Sequence, residues 1–241
     1  MQVSEYPRLY AAEDRLWWFR ALHQAVRYLL PRPHQGQLLE IGCGTGGLMR
    51  QLAHSGLQVT GIDLAAEAVR YAARGAGPVA RASANQLPFS DRSFDFVTCV
   101  DLLEVETVQP EALVQQALRV LRPGGYGVFV MAAHQWLLSE HDRAVNSVRR
   151  FNLTQLRDLF AGKPARIVRG TYLFFLVFPL VVLRKLVNKP RNEHGSVSDV
   201  SVPPQIVNLP LSSLCWLENQ WLHVSNLPMG SSVLVVVQKH G

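Results

Sequence analysis

Cysteine is scarce in this chain: Cys43, Cys99 and Cys215 are the three among 241 residues, and none falls in a C-x-x-C or other metal-ligand spacing. That argues against a disulfide-stapled fold and a structural zinc site, and sets the expectation of a reducing, cytoplasmic setting. No acid and histidine cluster has ligand spacing either, so no metal is expected. Met1 to Tyr10 lacks the apolar core of a signal peptide. The run Tyr172 to Leu183 is too short for a bilayer span, which needs about 20 residues, and it contains Pro179. Charged residues make up only 17% of the chain against 48% hydrophobic, which describes an ordinary core with a rather apolar surface. The net charge of +6 raises the question of nucleic acid. Its basic residues are scattered, however, with local clusters at Arg149-Arg150 and Arg184 to Arg191, and no run interleaves them with aromatics. Nucleic acid is therefore not the expected partner.

What the chain does have is Leu38-Leu39-Glu40-Ile41-Gly42-Cys43-Gly44-Thr45-Gly46-Gly47, followed by Gly61-Ile62-Asp63-Leu64. The first stretch reads as a short apolar strand that ends in an acid and breaks into a glycine turn. A helix follows, and a second apolar strand, Leu57 to Ile62, delivers the carboxylate of Asp63. Glycines let the backbone turn sharply and approach a ligand that a Cβ would hold off. A carboxylate at the end of the second strand suits a ribose diol. The pattern is a nucleotide-type cofactor site. Its spacing, acid-x-G-x-G-x-G, differs from the dinucleotide fingerprint G-x-G-x-x-G, whose glycines accommodate a pyrophosphate.

Strands and helices alternate over the rest. Strands are expected near 37–41, 57–62, 78–82, 94–100 and 125–132, with helices near 46–55, 65–74, 109–121 and 152–160. The N-terminal segment Ala11 to Leu30 has helical periodicity and is stopped by Pro31 and Pro33. Short, almost wholly apolar strands argue for a parallel sheet covered on both faces, with ligands at the strands' carboxyl ends. Glu40, Asp63 and Asp101 all fall at such ends. In Arg119 to Gly125, Pro123 stops a helix at Leu121 and two glycines allow the turn into the fifth strand. The last third reads as a strand at roughly 166–174, an apolar segment, a polar loop over Asn188 to Val202, an amphipathic helix over Pro203 to Val224 and a final strand near Ser231 to Gln238. Two readings of the apolar segment stay open: a buried capping helix, or a lid or membrane-surface foot with basic flanks.

The acid-and-glycine loop resembles motif I of the class I S-adenosylmethionine (SAM) methyltransferases. Leu87-Pro88-Phe89-Ser90-Asp91-Arg92-Ser93-Phe94-Asp95-Phe96-Val97 resembles the "LPF-x-D-x-SFD-x-V" segment of the Methyltransf_11-type subgroup, and Asp101-Leu102-Leu103-Glu104-Val105 its "DVLEH" segment. Trp17-Trp18-Phe19-Arg20, His134, His141-Asp142, Arg149-Arg150-Phe151 and Leu227-Pro228-Met229-Gly230-Ser231 are similar to elements of a bacterial branch of small-molecule enzymes. The resemblance implies an α/β, Rossmann-like sheet of seven strands, mostly parallel, with helices on both faces, an antiparallel last strand and helical cap elements. It implies a single domain over 1–241: an N-terminal helical lid (1–33), a SAM-binding core (34–170), a substrate-side cap (171–230) and the last strand (231–238). It places the cofactor on Glu40, Gly42, Cys43, Gly44, Gly46, Asp63, Leu64, Ala84, Asn85, Leu87 and Asp101, Asn85 standing in for the acid that usually precedes "LPF". Candidate catalytic residues are His134, His141 and Glu104.

The implied activity is methyl transfer from SAM, leaving S-adenosylhomocysteine, to an oxygen, nitrogen or carbon of a small molecule. The apolar cap suggests a hydrophobic or lipid-linked acceptor, with peripheral membrane contact through 172–191. Methylation of nucleic acid is an alternative, though the N-P-P-[YFW] tetrapeptide for base amines is missing. A non-catalytic SAM-binding protein is the other. Arg149-Arg150 is a candidate anion clamp, and Trp17, Trp18 and Phe19 are candidates for a cofactor lid or for plain core packing.

Overall fold

The computed structural model describes residues 3–31, 35–187 and 201–241. Strands β1 (Gln37–Ile41), β2 (Gln58–Asp63), β3 (Val79–Arg81), β4 (Phe94–Val100), β5 (Leu121–Ala132), β6 (Ala165–Leu173) and β7 (Ser232–Lys239) form one sheet in the order β3-β2-β1-β4-β5-β7-β6. Pairings are parallel except for β7, which runs antiparallel between β5 and β6. The parallel sheet expected from the alternating pattern is observed, as are the seven strands and antiparallel last strand that the resemblance implies.

Side chains alternate faces along each strand, and two cores follow from that period. Leu38, Val59, Phe96, Val128, Val130, Leu234 and Val236 point to one face, where α2 (Trp17–Leu29), α3 (Gly47–Ala53) and α9 (Gln205–Trp221) cover them. Leu39, Ile41, Ile62, Val97, Cys99, Phe129, Met131, Val233, Val235 and Val237 point to the other, beneath α5 (Pro110–Val120) and α7 (Leu153–Phe160). Helix α7 starts on a capping box, Asn152 accepting from the Gln155 N–H and Gln155 from the Asn152 N–H.

Two boundaries differ from expectation. The helix expected over Ala11 to Leu30 is two, α1 (Tyr6–Ala12) and α2, separated by an elbow at Glu13 to Leu16. Strand β5 begins at Leu121 rather than 125, because Leu121 already pairs with Phe94, and Arg122 to Gly125, with Gly124 at a φ of 77°, are taken up as an irregularity before Tyr126 pairs with Phe96. Proline lacks a ladder donor but is accommodated at such an irregular strand start.

Helix α9 is fastened to the body by buried polar groups. Asn208 Oδ1 accepts from the Trp17 N–H at 3.0 Å, and its Nδ2 donates to the Arg15 carbonyl at 2.9 Å. Asn219 donates to the Ala21 carbonyl at 3.1 Å. The Glu218 carboxyl accepts from the N–H groups of Phe174 and Leu176, the second at 2.9 Å, and so holds the turn between β6 and α8 (Phe178–Val187). Glu218→Ala orphans those two donors, at about 1–3 kcal/mol each. The expected result is a melting temperature lower by roughly 5–15 °C; an unchanged melting curve would contradict this role.

Candidate active site

After Ile41 the chain turns through Gly42, Gly44 and Gly46, at φ of 77°, 53° and 86°, into α3. The N–H groups of Gly42 and Cys43 both donate to the Ile62 carbonyl, at 2.8 and 2.9 Å, so the loop is tied to β2. Asp63, the last residue of β2, accepts from the Gly44 N–H at 3.0 Å with Oδ2 and from the Ala65 N–H at 2.8 Å with Oδ1. A Cβ on Gly46 would lie 2.6 Å from that of Ala76, so its glycine serves packing. A Cβ on Gly44 would meet nothing within 4 Å. That open backbone is the surface a ligand can approach closely.

The groups around this loop are acids. Glu40 is buried in β1, and its Oε2 has no hydrogen-bond partner. Burial raises its pKa well above the usual carboxylate range, and the carboxylates of Glu13 and Asp63 raise it further. Burial pushes Glu13 up to about 7 although Arg50 pairs with it at 3.2 Å. Burial also raises Asp63, against the N–H donors of Ala65 and Gly44. The Tyr6 phenol is pushed up to about 12 by burial and then by the Asp63 and Glu67 carboxylates, which places α1 beside the end of β2. An orphaned buried carboxylate, an open glycine backbone and an excess of acids suit a nucleoside that carries positive charge. SAM, with its sulfonium and ammonium, fits that donor set.

A second cluster lies at the ends of β4, β5 and β6. Asp101, His134 and Phe174 follow those strands with φ of 48°, 62° and 65°. Side chains other than glycine are rarely held there, and such strain collects at functional sites. Glu104 Oε1 accepts from the Ala132 N–H at 3.2 Å. Burial holds Glu104 well above its ordinary value, with the Asp101 carboxylate adding to the effect, and burial also raises Asp101. The His134 ring lies parallel to Tyr172 at 5.3 Å and 5.6 Å from Phe178, and its Nε2 is buried without a partner. Burial lowers its pKa, which keeps the imidazole neutral at pH 7. Arg150 links the two groups: its charge reaches both Asp101 and His134, while its Nη2 holds Asp142 at 2.8 and 2.9 Å and its Nη1 donates to the Ala133 carbonyl at 3.1 Å.

Residues 39–129, which carry the glycine loop, Asp63 and Asp101, match the model of the methyltransferase domain family Methyltransf_11. Over these residues the chain is similar to that family's methyltransferase domain. A ubiquinone biosynthesis O-methyltransferase from Albidiferax ferrireducens is 36% identical over 47% of this chain and 52% of its own length. The chain spans about half the length of the curated relatives it matches. Among solved structures, a SAM-dependent methyltransferase from Thermotoga maritima superposes with a TM-score of 0.61 at 20% identity, over 98% of this chain and 96% of the other. The geranyl diphosphate C-methyltransferase of Streptomyces coelicolor A3(2), crystallised with S-adenosylhomocysteine, gives 0.63 at 14% identity, over 91% and 79%.

Most of the sequence-derived residues fall into the two clusters. Glu40, Gly42, Cys43, Gly44, Gly46, Asp63 and Leu64 gather at the ends of β1 and β2, with half the Leu64 side chain exposed. Asn85 bridges toward the β4–α5 loop, its Nδ2 donating to the Thr107 carbonyl at 3.0 Å and its Oδ1 accepting from the Gln109 N–H at 2.9 Å. Ala84 packs against the second core, and Leu87 is buried in it. The side chain of His141 lies outside the described residues, as does the expected loop over 188–200. Arg150 is not a free anion clamp, since Asp142 and the Ala133 carbonyl occupy it. Trp17 and Trp18 pack on Phe174 at 5.9 and 5.8 Å. The N-terminal group that reaches the glycine loop is instead Glu13, with Tyr6 near Asp63, and sequence reasoning missed both. The available signal was the acidic pair Glu13-Asp14 interrupting the helical period.

Proposed function

We propose that this protein transfers the methyl group of SAM to a hydrophobic, lipid-linked or lipid-like small molecule. The observation that carries the reading is the buried, unpartnered Glu40 beside an open Gly44 and the end-of-strand Asp63. When bound, SAM supplies a methyl group already activated on a sulfonium, so the protein's part is to position and desolvate. Asp63 accepts from the ribose hydroxyls, and Glu40 faces the amino-acid end. Neutral His134 is suited to take a proton from a hydroxyl acceptor. Burial, and then the Asp101 carboxylate, raise the pKa of Glu104, which disfavours a further charge beside His134.

The acceptor class rests on the cap. Helix α8 is not the buried helix that one reading of its apolar run anticipated: Leu180, Leu183, Leu186 and Val187 are all more than half exposed. On α9, Ile206, Leu209, Trp216, Leu217 and Trp221 are exposed in the same way. No helix among the described residues is long and apolar enough to cross a membrane. A face of this kind, with Lys185 alongside, suits contact with a lipid surface from the cytoplasmic side. Relatives named for ubiquinone biosynthesis support an apolar acceptor.

The test is radiolabelled methyl transfer from SAM into a cell extract, followed by partition between organic solvent and water with and without nuclease. Label in the organic phase, resistant to nuclease, is the expected result. Nuclease-sensitive label would replace this reading with nucleic-acid methylation, and no transfer at all would leave a cofactor-binding protein.

A further inference from the structure

The sequence motif accounts for Glu40 but not for the second buried acid beside it. Glu13 comes from the elbow between α1 and α2, far from the glycine loop in sequence, and is 5% exposed. Its side chain occupies the space that a Cβ on Gly47 would need: that atom would lie 2.7 Å from both Cδ and Oε2 of Glu13. A glycine at the first position of α3 therefore lets a carboxylate from another element settle against the loop. Arg50, from α3, holds Glu13 and Asp14 at 3.2 Å each, donates to the Thr45 carbonyl at 3.1 Å and lies 5.1 Å from the centre of the Tyr10 ring. Among the described residues, Arg50 is the cation that faces both Glu13 and Glu40. Glu13, Glu40 and Asp63 are three acids near one guanidinium, and the Oε2 of Glu40 is buried without a hydrogen-bond partner.

We propose that Glu13 is a cofactor-binding residue which, together with Glu40, receives the α-ammonium of SAM, so that the N-terminal elbow closes over the amino-acid end of the cofactor. The proposal rests on the reading of the site as a SAM site. A cation entering between the two carboxylates replaces their mutual repulsion with two charge-assisted contacts, and it supplies the charge that Arg50 alone does not. The two raised carboxyl pKa values fit an acid pair waiting for a cation. The rival explanation is that Glu13 only ties the elbow to α3 through Arg50.

A ligand comparison separates the two. S-adenosylhomocysteine and its deaminated analogue share the nucleoside, sulfur and carboxylate and differ by the ammonium. Their dissociation constants are measured by calorimetry on the full chain, for the wild type, Glu13→Gln and Glu13→Asp, the last of which keeps the charge but withdraws it by one methylene. The wild type is expected to prefer S-adenosylhomocysteine by more than tenfold. Glu13→Gln is expected to bind it about tenfold more weakly while its affinity for the analogue stays within twofold, and Glu13→Asp is expected to lose part of the same preference. Equal weakening for both ligands, or an unchanged preference in whichever variant folds, would overturn the proposal and leave Glu13 a tie. A wild type that binds neither ligand would overturn the SAM reading itself, and Glu13 with it.

Discussion

Asp63→Ala is expected to weaken binding of S-adenosylhomocysteine by at least a hundredfold, measured by calorimetry on a variant that still folds. Two effects add. A carboxylate that accepts from a ribose diol makes two charge-assisted hydrogen bonds, each worth about 1.5–3 kcal/mol, or roughly two to four orders of magnitude together. The same carboxylate also holds the Gly44 N–H at 3.0 Å and the Ala65 N–H at 2.8 Å, so the loop that presents the open backbone depends on it. Asp63→Asn separates the terms, because the amide oxygen can keep one loop contact while the charge is lost. An intermediate loss of affinity is expected there, with the melting temperature of the free protein lower by roughly 2–10 °C because the other N–H loses its acceptor. If Asp63→Ala bound within threefold of wild type, Asp63 would have no part in holding the ribose.

The sheet was legible because its strands are nearly continuous apolar runs of the right length, and the glycine loop because the identity of each residue limits the backbone it can adopt. Other parts of the site left no such trace. Glu13 meets Gly47 and Arg50 only after the elbow folds back: the acidic pair Glu13-Asp14 marks a break in the helical period but does not say what the break brings Glu13 against. Asp101, His134 and Phe174 take left-handed backbone conformations without being glycine, so sequence gave no warning that the ends of β4, β5 and β6 are strained. The apolar run from Tyr172 to Leu183 spells the same letters whether buried or exposed. Its first part is core, with Phe174 only 2% exposed, and its last part is surface, with Leu183 at 57%. Periodicity reports which residues share a face, not what lies opposite it. Strand β5 was shortened in the sequence reading because Pro123 and two glycines normally mark a turn, whereas here the irregular pairing with β4 absorbs them.

Gly230 offers the sharpest test of how the β6–α8 segment and the His134 cluster are joined. It lies in Leu227-Pro228-Met229-Gly230-Ser231, just before β7, and a Cβ there would sit 2.0 Å from the Leu173 carbonyl oxygen and 2.8 Å from its carbon. Those are backbone atoms of β6, locked by the β6–β7 ladder, so they cannot rotate away as a side chain would. Relief requires moving the end of β6, and with it Phe174, on which Trp17 and Trp18 pack. Overpacking of this kind costs about 3 kcal/mol or more, which for a chain of this size lowers the melting temperature by roughly 6–12 °C. The effect should reach chemistry as well as stability. The Gly230 backbone is a polar neighbour of His134, and the Ser231 carbonyl accepts from the Ala133 N–H at 2.8 Å. Gly230→Ala is therefore expected to lower kcat by more than tenfold at a temperature where the variant is still folded, while the dissociation constant for S-adenosylhomocysteine, proposed to bind at the ends of β1 and β2 on the other side of β4 along the same sheet edge, changes by less than threefold. Equal losses in both would mean that the strain spreads through the whole sheet. Loss of stability without loss of kcat would remove His134 from the reaction.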